Sequence, residues 1–186
     1  SVNIIRAAKK DGVKVTCETA PHYFTYTDEK LLSRDAVYRM SPPLRTEEDR
    51  LAIEEALLDG TIDCIITDHA PHTAEEKADF EKAPNGVVGL ETSLAMTLTM
   101  LYHTGKADLS KIAELMSINP RKILGIEPVR IAVGSELNLV IFNPEQEWEV
   151  IPEELHSKSK NTVFKGEKCM GKVIYTICDG KIVFQL

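Results

Sequence analysis

Ile62-Asp63-Cys64-Ile65-Ile66-Thr67-Asp68-His69-Ala70-Pro71-His72-Thr73 is an apolar run that ends in an acid and two imidazoles. A short, almost wholly apolar segment reads as a parallel strand buried on both faces. An acid where such a strand ends stands where α/β barrels keep their chemistry, at the carboxyl edge of the sheet. A carboxylate there can hold a borderline cation such as Zn²⁺ through oxygen. Beside an activated water it can also take a proton and return it to a leaving group. Asp68 is the candidate for both roles. Taken alone, Asp68-His69 reads equally well as a helix N-cap followed by surface histidines. One acid cannot hold a metal by itself, so the surrounding chain must decide.

Working outward, strand-like and helix-like segments alternate from Ser1 to about Ile126. The pattern predicts a helix over 2–11 stopped by Gly12, then a strand over 13–17 whose exit is Glu18 to His22. Thr46 to Asp49 resembles a capping box. The helix behind it carries Ala52, Ile53, Ala56 and Leu57 on one face and stops at Gly60. The strand 62–67 follows, then an irregular loop from Asp68 to Gly89. Loops of that length are commonly functional, and a lid or substrate-contacting role is expected for this one. Leu94, Leu98 and Leu101 line a further helix closed by Gly105, and Ser110 and Pro120 begin two shorter ones. Strand and helix in this alternation mean parallel β/α units.

Past Gly125 the character changes. Leu137 to Phe142, then a Glu-rich stretch to Glu149, then Lys172 to Leu186 read as strands, punctuated by glycines. The expected division is therefore residues 1–126 for the β/α units and 127–186 for a small β-domain. Ser1 is no initiator Met, and a helix opens at once. The chain thus reads as the carboxyl-terminal part of a longer one.

Composition narrows the function. The 186 residues are 43% hydrophobic, enough for a proper core. A net charge of −7 without any basic block argues against nucleic acid or an anionic membrane as partner. Neither a membrane span nor a signal peptide is visible. Cys17, Cys64, Cys169 and Cys178 show no Cys-x-x-Cys spacing, and the first two sit in apolar strand-like runs as reduced, structural thiols. A cytoplasmic, reduced, soluble protein is expected.

Residues 63–73, Glu75-Glu76-Lys77, Ala83-Pro84-Asn85-Gly86 and Gly89-Leu90-Glu91-Thr92 together resemble the dihydroorotase signature. Five further blocks fall in the same order: Val15-Thr16-Cys17-Glu18 with Pro21-His22, Met40-Ser41-Pro42-Pro43-Leu44-Arg45, Ser117-Ile118-Asn119-Pro120-Arg121, Lys160-Asn161-Thr162-Val163-Phe164, and Gly166. The match covers nearly the whole chain.

The resemblance implies the bacterial type of this amidohydrolase family: a (β/α)8 TIM-like barrel holding one or two zinc ions, with a small β-domain built from both chain ends. Residues 1–126 would be the carboxyl-terminal portion of that barrel. It implies reversible hydrolysis of L-dihydroorotate to N-carbamoyl-L-aspartate in pyrimidine biosynthesis. Asp68 would ligate zinc and shuttle the proton, while the remaining zinc ligands would precede Ser1. His72 would contact the substrate carboxylate, where a charge-assisted donor is needed. Asn85 and Gly86 match loop positions whose backbone meets the substrate; a plain turn would use the same pair. Ser41 matches the position where the family usually has a substrate-contacting Asn. A hydroxyl cannot offer the same donor and acceptor pair. Tyr23 stands where a second His is common and reads as packing. Glu18 reads as a buried, paired acid, and His22, His103 and His156 as structural or solvated. The expected partner is a small-molecule substrate, with a homodimer or aspartate carbamoyltransferase as possible assemblies.

Two other readings stay open. Hydantoinases, dihydropyrimidinases and allantoinases share the Asp-His after the last strand but usually lack a histidine four residues past the acid. A non-catalytic dihydroorotase-like subunit that scaffolds aspartate carbamoyltransferase would have lost metal ligands.

Overall fold

A computed structural model describes residues 1–127 and 130–186. Helix α1, Val2–Lys10, ends in Lys9 and Lys10, whose charges complement the carbonyl end of the helix. Its Arg6 reaches Asp59 through Nε and Nη2 at 3.0 and 2.7 Å, which fastens it to the helix over 47–59.

The first strand is not where the apolar pattern predicts. Residues 13–17 carry no regular structure. Strand β1 is Glu18–Thr19, parallel to β2, Cys64–Ile65, with Glu18 opposite Cys64 and Thr19 opposite Ile65. The ladder continues for one bond on either side: Asp63 N–H donates to Cys17 O at 2.9 Å and Ile66 N–H to Thr19 O at 2.8 Å. The Asp63 carboxylate also accepts the Cys17 N–H at 2.8 Å, which pins the register. Among the described residues no strand lies beside residues 13–16, and Val13 is 54% exposed.

Directly after β1 comes the short helix α2, Pro21–Thr25, with Pro21 opening it and His22 and Phe24 buried. Helix α3, Glu47–Asp59, starts and stops as its sequence dictates. Thr46 Oγ1 accepts the Asp49 N–H at 3.3 Å, and Gly60 ends the helix at φ 82°. Ala56 and Leu57 are fully buried against Phe24, Ile62, Ile65, Leu98 and Leu101.

Helix α4, Ser93–Thr97, runs on into a π-helical turn, Leu98–Tyr102. The two short helices expected near Ser110 and Pro120 are one continuous run: α5, Leu109–Ala113, a π turn Glu114–Ile118, and α6, Asn119–Ile123. Asp108 caps it by accepting the Lys111 N–H at 2.8 Å. Pro120 does not break the run, because it sits in the first turn of α6 behind the π turn.

Three antiparallel strands follow in the order β3-β4-β5: Leu139–Glu149, Lys168–Cys178 and Lys181–Gln185. The Glu-rich stretch continues the strand over 139–142, so the two form one strand, β3. Its register slips between Asn143 and Glu147, and Pro144 sits in that irregularity, the place a strand can accept a residue without an N–H. The sheet rests on α4 and the π turn after it. Met170 N–H donates to Thr99 Oγ1 at 2.8 Å, and a Cβ at Gly171 would overlap Leu98 Cδ1, so a side chain there would have to displace Leu98. One core cluster, including Tyr26, Met40, Met96, Val163 and Phe164, joins segments from both ends of the chain.

Candidate active site

Asp68 leaves β2 with φ 48°, a left-handed conformation uncommon outside glycine but tolerated by Asp. Its side chain is 42% exposed. The groups around its Oδ2 come from the neighbouring strand exit. His22 Nε2 lies 3.8 Å away and the Tyr23 hydroxyl 3.5 Å away, while that hydroxyl donates to Pro42 O at 3.0 Å. The His22 side chain is only 3% exposed, and burial lowers its pKa to about 4, so the ring is neutral at physiological pH. Burial, and then the Asp68 charge, push the Tyr23 hydroxyl above the usual tyrosine range.

The sequence reading left both residues out of the site, treating His22 as structural and Tyr23 as packing. What places them beside Asp68 is parallel pairing across about forty-five residues of chain.

The 68–89 loop is pinned at its base. His69 Nδ1 accepts the Gly89 and Leu90 N–H groups at 3.1 and 3.4 Å, so the ring proton sits on Nε2. Ala70 N–H donates to Val87 O at 2.8 Å. Gly86 has φ 115°, and a Cβ there would lie 2.5 Å from Ala70 Cβ. Glycine is therefore required at this turn by the fold itself. Further out, Lys77 Nζ donates to Pro84 O at 2.8 Å, and burial lowers its pKa to about 8.

His72 and Asn85 are brought together. A ring N–H at His72 Nε2 donates to Asn85 O at 2.9 Å, and Nδ1 faces Glu76 Oε2 at 3.6 Å. Glu76 is held there by a capping box with Thr73, each backbone N–H donating to the other's side chain at 2.9 and 3.2 Å. A carboxylate thus already stands beside the imidazole. Asn161 Nδ2 donates to Gly86 O at 3.1 Å, which ties this end of the loop to the chain before β4.

Ser41 is exposed, next to the Pro42 carbonyl that anchors Tyr23. Glu18 is exposed and not the buried, paired acid expected. His103 Nε2 lies 2.8 Å from Pro144 O, and His156 Nδ1 lies 3.0 Å from Glu91 Oε2, so both serve the fold. Burial raises the pKa of Cys64 to about 11 and of Cys169 to about 12, which keeps them as thiols.

Among the described residues, no three His, Cys, Asp or Glu side chains converge to hold a metal ion. The donor these residues do offer is the Asp68 carboxylate, whose Oδ1 accepts no hydrogen bond from the described residues. It fits one position of a zinc site and not a whole site.

The amidohydrolase family profile matches residues 1–183. The chain is 49% identical over 186 residues to the dihydroorotase of Geobacter sp. (strain M21), covering all of this chain and 44% of that protein. To the dihydroorotase of Clostridioides difficile (strain 630) it is 48% identical over 185 residues, 99% of this chain and 44% of the relative. Among solved structures, the L-hydantoinase (dihydropyrimidinase) from Arthrobacter aurescens superposes with a TM-score of 0.88 at 32% identity, over 99% of this chain and 42% of that one. The dihydropyrimidinase from Brevibacillus agri NCHU1002 gives 0.91 at 29% identity over the same shares. The chain spans less than half the length of the curated relatives it matches. Among the described residues, no helix is long and apolar enough to cross a membrane.

Proposed function

Because this chain belongs to the amidohydrolase family, we propose that it is the carboxyl-terminal part of a dihydroorotase, which hydrolyses L-dihydroorotate reversibly to N-carbamoyl-L-aspartate. Residues 1–126 then form the closing part of a (β/α)8 barrel, and residues 127–186 a small β-domain that shares its core. The observation that carries the reading is Asp68, an accessible carboxylate with one free oxygen at the end of a strand in a parallel pair.

The metal in this reading is zinc, with Asp68 as one ligand and the others from chain outside residues 1–186. Bound there, it would polarise the ring amide carbonyl and acidify water. Asp68 accepts a proton from the attacking water and returns it to the departing amide nitrogen. His72, Asn85 and Gly86 form the wall that meets the substrate carboxylate, which takes the place beside His72 Nδ1 that Glu76 now fills. Ser41, at the Pro42 turn, faces the same substrate from the side of Tyr23. The substrate is a small molecule, and the enzyme works in the cytoplasm, alone as a homodimer or with aspartate carbamoyltransferase.

The test pairs a substrate that carries the carboxylate with one that lacks it. In the full-length protein, L-dihydroorotate should be turned over far better than 5,6-dihydrouracil. His72→Ala should weaken dihydroorotate binding by about 1.5–3 kcal/mol, the size of one charge-assisted contact, and leave dihydrouracil and zinc content unchanged. Loss of zinc in this variant would make His72 a ligand instead. Preference for dihydrouracil or hydantoin would make the protein a hydantoinase-type enzyme, the kind named among its solved relatives.

A further inference from the structure

One buried ring nitrogen has no hydrogen-bond partner among the described residues: His22 Nε2. Buried polar atoms are almost always satisfied, so an exception asks for a reason. This one points at the residue with the clearest claim to chemistry, Asp68 Oδ2, at 3.8 Å.

The alignment follows from the sheet. Thr19 stands opposite Ile65 in the parallel pair, and His22 and Asp68 each follow their strand residue by three. The two side chains therefore emerge at the same level of the same edge. His22 is buried there in α2, with its ring 4.1 Å from that of Tyr23 at a 55° tilt. Tyr23 is anchored in turn on Pro42 O at 3.0 Å, with its hydroxyl 3.5 Å from Asp68 Oδ2. Asp68 is the exposed member, in a left-handed conformation that Asp tolerates, and a side-chain rotation would bring Oδ2 within hydrogen-bond reach of Nε2.

We propose that His22 is a positioning residue for Asp68: its imidazole N–H holds Oδ2, helped by the single Tyr23 phenol proton, which is shared between Pro42 O and Oδ2, so that Oδ1 alone faces the metal and the reacting atoms. This rests on Asp68 being the acid–base residue. A free carboxylate has two equivalent oxygens and a rotatable side chain. Fixing one oxygen removes that freedom before substrate arrives, which is what hydrogen bonds to metal-ligating carboxylates do generally.

The experiment uses the full-length zinc enzyme with His22→Phe, His22→Gln, Tyr23→Phe and Asp68→Asn. His22→Phe keeps the ring and removes the donor. It should lower kcat by about 10–100-fold, the usual effect of losing such a partner, with KM and zinc stoichiometry little changed. His22→Gln restores an N–H donor and should recover most of that loss. With Co²⁺ in place of zinc, the visible absorption of His22→Phe should shift from that of the wild type, because a ligand has turned. If His22→Phe fails to fold, Tyr23→Phe carries the test, with a smaller fall in kcat and the same spectral shift expected.

Wild-type kcat and an unshifted Co²⁺ spectrum in His22→Phe, or in Tyr23→Phe where only that variant folds, would overturn the proposal. So would equal losses in His22→Phe and His22→Gln with a raised KM. The Asp68→Asn arm separates the two ideas. If that variant is inactive while His22→Phe behaves as wild type, only the positioning role falls. If Asp68→Asn keeps its activity, the underlying reading falls with it.

Discussion

Asp68→Asn in the full-length protein is expected to lower the rate by about two to four orders of magnitude in both directions of the reaction, the size of a general acid–base contribution. The substitution is unusually clean here. Asn tolerates a left-handed backbone as Asp does, so the φ of 48° at this position costs it no more. The volume is unchanged, and the amide oxygen can still face the Tyr23 hydroxyl that now lies 3.5 Å from Oδ2. What disappears is the negative charge and with it the ability to accept a proton from water. Assays at saturating zinc separate that loss from weakened metal binding, and an unchanged unfolding midpoint shows that the fold survives. A variant within a few-fold of the wild type in both directions would remove Asp68 from the mechanism.

The second large effect is all or none. Residues 1–186 expressed by themselves should hold no stoichiometric zinc and hydrolyse no dihydroorotate. A catalytic zinc site takes three protein ligands and leaves a position open. Among the described residues no such group of three exists. The parallel pair β1-β2 also has no further strand beside it among the described residues, and paired strands left with open edges are prone to associate. Metal analysis after dialysis and an assay of carbamoyl-aspartate formation check this. One tightly held zinc per chain with turnover would contradict the proposal that the other ligands lie outside residues 1–186. Co-expression with the rest of the protein should restore both.

The parts of this fold written in local chemistry were legible in the sequence. Helix α3 is the clearest case: Thr46 caps it, Gly60 ends it, and Ala56 and Leu57 bury as their spacing requires. The strands were harder. Apolar alternation over residues 13–17 reports what could be buried, whereas a ladder needs a partner. The partner's register is fixed by Asp63, a residue far along the chain. The π turn that fuses α5 and α6 likewise leaves no mark in the apolar pattern. Of the site, Asp68, His72 and Asn85 are named by the sequence because one short stretch and one loop carry them, whereas the hydrogen bond that joins His72 to Asn85 appears only in the structure. His22 was not. Its role depends on two strands being in step, and a lone histidine after a proline gives no hint of that. Gly86 taught the opposite lesson: its need for glycine is explained by Ala70 and its own φ, before any substrate is considered.

The most direct test of the central claim is a structure of the full-length protein with zinc and L-dihydroorotate bound. Asp68 should place one carboxylate oxygen at zinc-ligand distance, about 2.0–2.2 Å, and the His72 ring should contact the substrate carboxylate. A zinc site complete without Asp68, with that side chain turned away from metal and substrate, would contradict the account.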